Sequence, residues 1–171
     1  MFVLGVDPGL SRCGYGAVRV TRDGRLVAEA AGVLRTDPAW ALPRRLSVLM
    51  GDLRALLDEL RPDAVAVEKV FFQTNVRTAM SVGQASGLAL ALADGMGCEV
   101  AEYTANEVKS IVAGYGAATK AQVQRMVQTQ LGLAAPPRPP DAADALALAL
   151  THATLGPRKA RLRGDAVSAE L

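Results

Sequence analysis

The chain has 171 residues, 50% of them hydrophobic and 21% charged, with a net charge of +2. This suits one globular domain with its own core and excludes a wholly disordered chain. No apolar run reaches the roughly 18 residues of a membrane span, and no charged leader followed by an apolar stretch opens the chain, so a cytoplasmic protein with no membrane partner is expected.

The first strand is expected over Phe2–Val6, the second over Gly14–Val20 and the third over Arg25–Arg35. Between the last two, "TRDG" (Thr21–Gly24) is turn chemistry, so the three form an antiparallel meander. From Pro43, the residues Leu46, Leu49, Met50, Leu53, Leu57 and Leu60 recur at three- and four-residue steps, with charged residues between them, which predicts an amphipathic helix. Arg61-Pro62-Asp63 stops it. "AVAVE" (Ala64–Glu68) reads as a short buried strand. A strand reached through a helix is most simply parallel to its partner, with a right-handed crossover, and its place is beside the first strand.

A long helix is expected over Val76–Asp94, then a fifth strand over Cys98–Tyr103. Thr104 can cap a helix over Ala105–Ala113, which Gly114-Tyr115-Gly116 breaks, and Thr119 can cap another ending near Leu131. "PPRPP" (Pro136–Pro140) is a stiff connector into a last helix over Asp141–Thr151. The fold class is α/β: a mixed five-stranded sheet, strands one to three antiparallel, strands four and five parallel to the first, flanked by helices. Residues 1–155 form the domain. Residues 156–171, with Arg158, Lys159, Arg161 and Arg163, are expected to be a basic, solvated and disordered tail, with a phosphate contact as the alternative.

The carboxylates carry the chemistry. Asp7 follows the first strand and Glu68 ends the strand placed parallel to it, so both fall on one edge of the sheet, where open α/β sheets usually hold ligands. Asp141 and Asp144 are three apart at the start of the last helix and share a face. Each has a plainer reading: Asp7 as a turn residue before Pro8-Gly9, Asp141 as an N-cap, Asp144 as an acid suited to the helix dipole. An acid after "AVAV" is harder to explain without a partner. Four clustered carboxylates repel unless a cation sits among them, and oxygen-only ligands suit Mg²⁺ or Mn²⁺. Two such ions about 4 Å apart form the clamp used in phosphodiester cleavage. The rival is an actin-like or sugar-kinase ATP-binding fold, whose phosphate loop also reads Asp-x-Gly, but such folds need a second Asp-x-Gly and this chain has one. Cys13 and Cys98 are too few for a disulfide framework or zinc site and are read as buried thiols. The single histidine, His152, excludes a His-rich metal site, and excludes a hydrolase triad unless it is itself the base.

These residues resemble one family, the RuvC crossover-junction endodeoxyribonucleases, which have a ribonuclease H-like fold. The resemblance rests on "LGVDPG" with Gly14-Tyr15-Gly16, "VEKVFFQTN" (Val67–Asn75), "GQASG" (Gly83–Gly87), "VKSIVAGYGAATKAQV" (Val108–Val123) and "DAADALALALTH" (Asp141–His152). It implies a homodimeric, metal-dependent nuclease of recombination and repair that cuts four-way (Holliday) junctions symmetrically and works with a branch-migration helicase of the RuvA and RuvB type. Asp7, Glu68, Asp141 and Asp144 fall at the family's metal-holding positions. Phe71 falls where the family carries an aromatic that stacks on junction bases, although Phe71 and Phe72 can also both be core. Lys109 and Lys120 match basic positions near the cut strand, and Arg77 is a further DNA-binding candidate. The Val76–Asp94 helix corresponds to the dimer helix, its Gly83 and Gly87 permitting close approach to a partner or to the sheet. The YqgF-like nucleases, with the same fold and a role on RNA, are the alternative within this fold.

Overall fold

The computed structural model describes residues 1–69 and 76–168, with side chains described over 1–69 and 79–156. Strands β1 (Phe2–Asp7), β2 (Arg12–Val20) and β3 (Leu26–Arg35) form the expected meander. Helix α1 (Leu42–Leu60) crosses to β4 (Ala64–Glu68), and α2 (Val76–Gly95) crosses to β5 (Glu99–Tyr103). Helices α3 (Ala105–Ala113), α4 (Lys120–Gln130) and α5 (Pro140–Ser168) complete the chain. The sheet order is β3-β2-β1-β4-β5, with β4 parallel to β1 and β5 parallel to β4. No described helix is long and apolar enough to cross a membrane.

Strand alternation sorts the side chains into two cores. Phe2, Leu4, Val6, Val65 and Val67 face α1 and α2, where Leu49, Leu53, Leu57, Ala89 and Leu92 meet them. Val3, Val18, Ala64, Ala66 and Tyr103 face the opposite layer, built from α3, α4 and α5. The apolar stripe of α1 differs from the expected one by a single step. Leu56 is buried, whereas Met50 is 41% exposed. The helix stops at Arg61, which takes a left-handed φ of 47° ahead of Pro62.

Three expectations need correction. β2 begins at Arg12 rather than Gly14, because the chain is already paired with Arg35 there. Cys98 precedes β5 and is half-buried, its thiol 3.4 Å from the Pro62 carbonyl oxygen, whereas Cys13 is fully buried as expected. Burial pushes the Cys13 thiol up to about 12, so it is an inert packing group. Finally, α5 does not end near Thr151. Its backbone remains helical through Gly156 to Ser168.

Helix α5 lies directly on β1 and β2 because glycines clear a channel for it. A Cβ at Gly5 would come within 1.9 Å of the Ala145 carbonyl oxygen, and one at Gly16 within 2.7 Å of the Leu146 backbone nitrogen. These two glycines are paired across β1 and β2. Gly14 completes the channel, where a Cβ would lie 2.2 Å from the Asp141 carbonyl oxygen. Small residues on the helix side, Ala142, Ala145 and Ala149, are almost wholly buried. Gly5→Ala is therefore expected to lower the urea midpoint by at least about 1–3 kcal/mol equivalent, as an overpacked core does. Gly51→Ala, in α1 with nothing within 4 Å of the new methyl, is expected to be neutral or to stabilise by up to about 1 kcal/mol. Equal effects of the two substitutions would contradict this packing.

Candidate active site

The positions of the acids follow from strand register. Val6 pairs with Val67, so Asp7 and Glu68 are neighbours one residue further along parallel strands. Asp7 alternates with Val3 and Gly5, and Glu68 with Ala64 and Ala66, so both project toward the layer containing α5. Opposite Asp7 on β2 stands Gly14, which admits the backbone of Asp141. Asp141 is the second residue of α5 rather than its cap, and Asp144 follows one turn later.

A cleft of about 340 Å³ opens at this edge, and its lining includes Asp7, Glu68, Asp144, Lys109 and Lys120. Two reciprocal caps fix the lysines. Thr104 accepts from the Glu107 backbone nitrogen while Glu107 accepts from that of Thr104, which sets the start of α3 ahead of Lys109. Thr119 and Gln122 do the same at the start of α4, whose first residue is Lys120.

The charges are unevenly matched. Burial is the largest cause that pushes the Asp7 carboxyl up from 3.8 to about 8; next come Glu68, by charge and by a shared hydrogen bond, and the charges of Asp144 and Asp141. Lys120 Nζ lies 2.6 Å from Asp144 Oδ2, and this contact raises the lysine's affinity for its proton. The Arg12 guanidinium grips Asp141 through two nitrogens and holds its carboxyl below the usual range. Among the described residues, no three His, Cys, Asp or Glu side chains are grouped so as to hold one ion. The donor set nevertheless fits a hard cation: it is all carboxylate, and after burial the charges of Glu68, Asp144 and Asp141 add to the rise at Asp7.

His152 takes no part in this cleft. It is buried two turns of α5 beyond Asp144, about 12 Å by helical rise, with Nδ1 2.9 Å from the Tyr103 hydroxyl.

The family model for crossover junction endodeoxyribonuclease RuvC matches residues 3–152. The chain belongs to the RuvC family. A curated RuvC of Frankia alni is 53% identical over 169 residues, 99% of this chain and 86% of that protein. The solved Thermus thermophilus RuvC superposes with a TM-score of 0.86 at 38% identity, covering 93% of this chain and 97% of that one. The same protein solved with a Holliday junction substrate superposes at 0.84 with 39% identity, covering 90% and 93%. The ribonuclease H-like architecture and the crossover-junction endodeoxyribonuclease class are thereby established, and the actin-like and YqgF-like alternatives are not favoured.

Of the RuvC-type residues expected from sequence, Asp7, Glu68, Asp144, Lys109 and Lys120 share the cleft, and Asp141 stands beside it on Arg12. Phe71 and Phe72 lie outside the described residues, as does the side chain of Arg77. Arg12 is the residue that sequence reasoning missed. A strand expected only from Gly14 leaves Arg12 outside it. Continuing the alternation back from Gly14 would have put it on the α5 face.

The raised Asp7 carboxyl has a consequence for stability. Between about pH 4 and pH 8 the folded, ion-free protein keeps a proton that the unfolded chain has released. Its stability therefore falls as pH rises through that window and levels off above it. Chelator-treated wild type is expected to lose urea resistance from pH 5 to pH 8 more steeply than Asp7→Asn, and Asp7→Asn is expected to be the more stable of the two at pH 8. Parallel pH profiles would show that Asp7 carries no such proton.

Proposed function

We propose that this chain resolves four-way DNA junctions by paired hydrolytic cuts, with Asp7, Glu68, Asp141 and Asp144 holding divalent metal, Mg²⁺ or Mn²⁺, two ions per site. The observation that carries this reading is the shared cleft of Asp7, Glu68, Asp144, Lys109 and Lys120 in a chain that matches the RuvC family along nearly its whole length. The solved junction complex of the Thermus thermophilus relative supports the choice of substrate.

The roles divide by chemistry. When bound, the ions supply an activated water and stabilise charge on the leaving oxygen. Asp7 and Glu68 present carboxylates from adjacent rigid strand ends, and Asp141 and Asp144 present theirs from one face of α5. Lys109 and Lys120 attract the phosphate backbone, and the Lys120 ammonium exchanges Asp144 for phosphate as the strand arrives. Arg77 adds a further phosphate contact. Phe71 stacks on a base exposed at the junction centre, and keeps the strand over the carboxylates.

Two matched cuts need two sites, and a two-fold homodimer supplies both from one surface. Helix α2 is the proposed interface. Its outer face carries Met80, 61% exposed. Gly83 and Gly87 lie on the same face, where no described atom would come within 4 Å of an added methyl. A branch-migration helicase complex of the RuvA and RuvB type is the proposed loading partner, in the cytoplasm.

Asp7→Asn, Glu68→Gln and Asp141→Asn are each expected to abolish junction cutting in Mg²⁺ while leaving junction binding largely intact in a gel-shift assay. A variant that cuts at near wild-type rate would remove that residue from the ligand set. Paired nicks on a four-way junction, with little cutting of linear duplex or of RNA–DNA hybrid, are expected of the wild type. Preferred cutting of the hybrid would favour the RNA-directed alternative.

For Phe71, stacking contributes about 1–3 kcal/mol per base, whereas a lost core ring costs about 3–5 kcal/mol of stability. Phe71→Ala is expected to cut poorly with a near-normal urea midpoint, and to be partly rescued by unpaired bases at the crossover. A large midpoint drop with normal cutting by the folded fraction would make Phe71 a core residue.

A further inference from the structure

We infer that Arg12 is a positioning residue for the metal site: it fixes Asp141 by one carboxylate oxygen, leaving the other to serve as ligand. The inference rests on Asp141 being a ligand, as proposed above. Arg12 Nε and one terminal nitrogen both donate to Asp141 Oδ2, the first at 3.0 Å, and neither donates to Oδ1. A second arginine on the same strand shows the contrast. Arg19 spreads its two donors over both oxygens of Glu29, Nε to Oε1 and a terminal nitrogen to Oε2 at 2.8 Å. That is the ordinary fork-to-fork pairing, which occupies the whole carboxylate. Arg12 grips its acid from one side only.

The placement of both partners is fixed by the backbone. Arg12 is the first residue of β2 and is held by pairing with Arg35. Asp141 is held by the seat of α5 over Gly14, two residues along the same strand. A rigid strand thus faces a rigid helix start, and only the two side chains between them are free to turn. Partners that orient ligating carboxylates typically matter by about 10–100-fold in metal affinity. An opposing effect exists: a guanidinium is itself a cation and repels an ion nearby. With the Arg12 side chain 41% exposed, water weakens that repulsion. The inference takes orientation as the larger of the two effects, so removing Arg12 is expected to weaken ion binding.

The test is Mn²⁺ binding by calorimetry at 150 mM salt, with no DNA present, on wild type, Arg12→Ala, Arg12→Gln, Arg19→Ala and Asp141→Asn. Urea midpoints are measured alongside. The expected result is a Kd for Mn²⁺ raised about tenfold or more in both Arg12 variants and unchanged in Arg19→Ala. Arg12→Gln keeps two of the three stem methylenes and an amide donor, so it covers the case in which Arg12→Ala folds poorly. Unchanged or tighter Mn²⁺ binding in the folded Arg12 variants, with binding weakened in Asp141→Asn, would overturn the inference and leave the ligand set standing. Wild-type binding in Asp141→Asn would instead overturn the ligand assignment itself.

Discussion

The contact between α5 and the glycine channel of β1 and β2 is the constraint on which the site depends. An α-helix with side chains is about 10–12 Å across, and over ordinary strands it stands off by the thickness of both sets of side chains. At Gly5, Gly14 and Gly16 one set is absent, so backbone meets backbone. The helix is brought down at the strand ends, not merely over the sheet. That descent carries Asp141 and Asp144 to the edge where Asp7 and Glu68 already stand. The glycines weaken the strands locally, and the buried alanines and leucines of α5 offset this by filling the channel.

Charge is the second consequence. Bringing four acids to one edge raises the energy of the ion-free protein, and the chain contains the cost with two cations of its own. Arg12 engages Asp141 and Lys120 engages Asp144. Burial, and then the charges of Glu68, Asp144 and Asp141, push the Asp7 carboxyl up to about 8. The two cations differ in kind. Arg12 sits on a strand and grips with two donors, whereas Lys120 starts a helix and offers one ammonium on a flexible stem. The lysine is suited to exchange partners and the arginine to stay.

Much of this was legible in the sequence. The "AVAVE" strand and the two Thr caps follow from short-range rules, and the strand's parallel place beside β1 from the crossover rule; all three hold. The face shared by Asp7 and Glu68 follows from alternation alone. What was not legible depended on tertiary contact. Gly14 and Gly16 carried a resemblance without a reason until α5 was seen against them. Arg12 falls outside the strand expected from Gly14 onward, and its pairing with Arg35 is a long-range fact. The end of α5 was set too early because Gly156 reads locally as a stop; in the fold it lies against His152, where a Cβ would come within 3.0 Å of Nε2. Met50 and Leu56 traded places because a three-four repeat fixes a stripe only to within one step.

Docking of α5 is proposed to build a cation site from these four carboxylates. The most direct measurement is the anomalous scattering of Mn²⁺ in crystals of the ion-loaded protein. Anomalous peaks bounded by Asp7, Glu68, Asp141 and Asp144 are expected, with Lys120 displaced from Asp144 and Arg12 still on Asp141. Peaks elsewhere on the molecule, or none at this edge at saturating Mn²⁺, would contradict it.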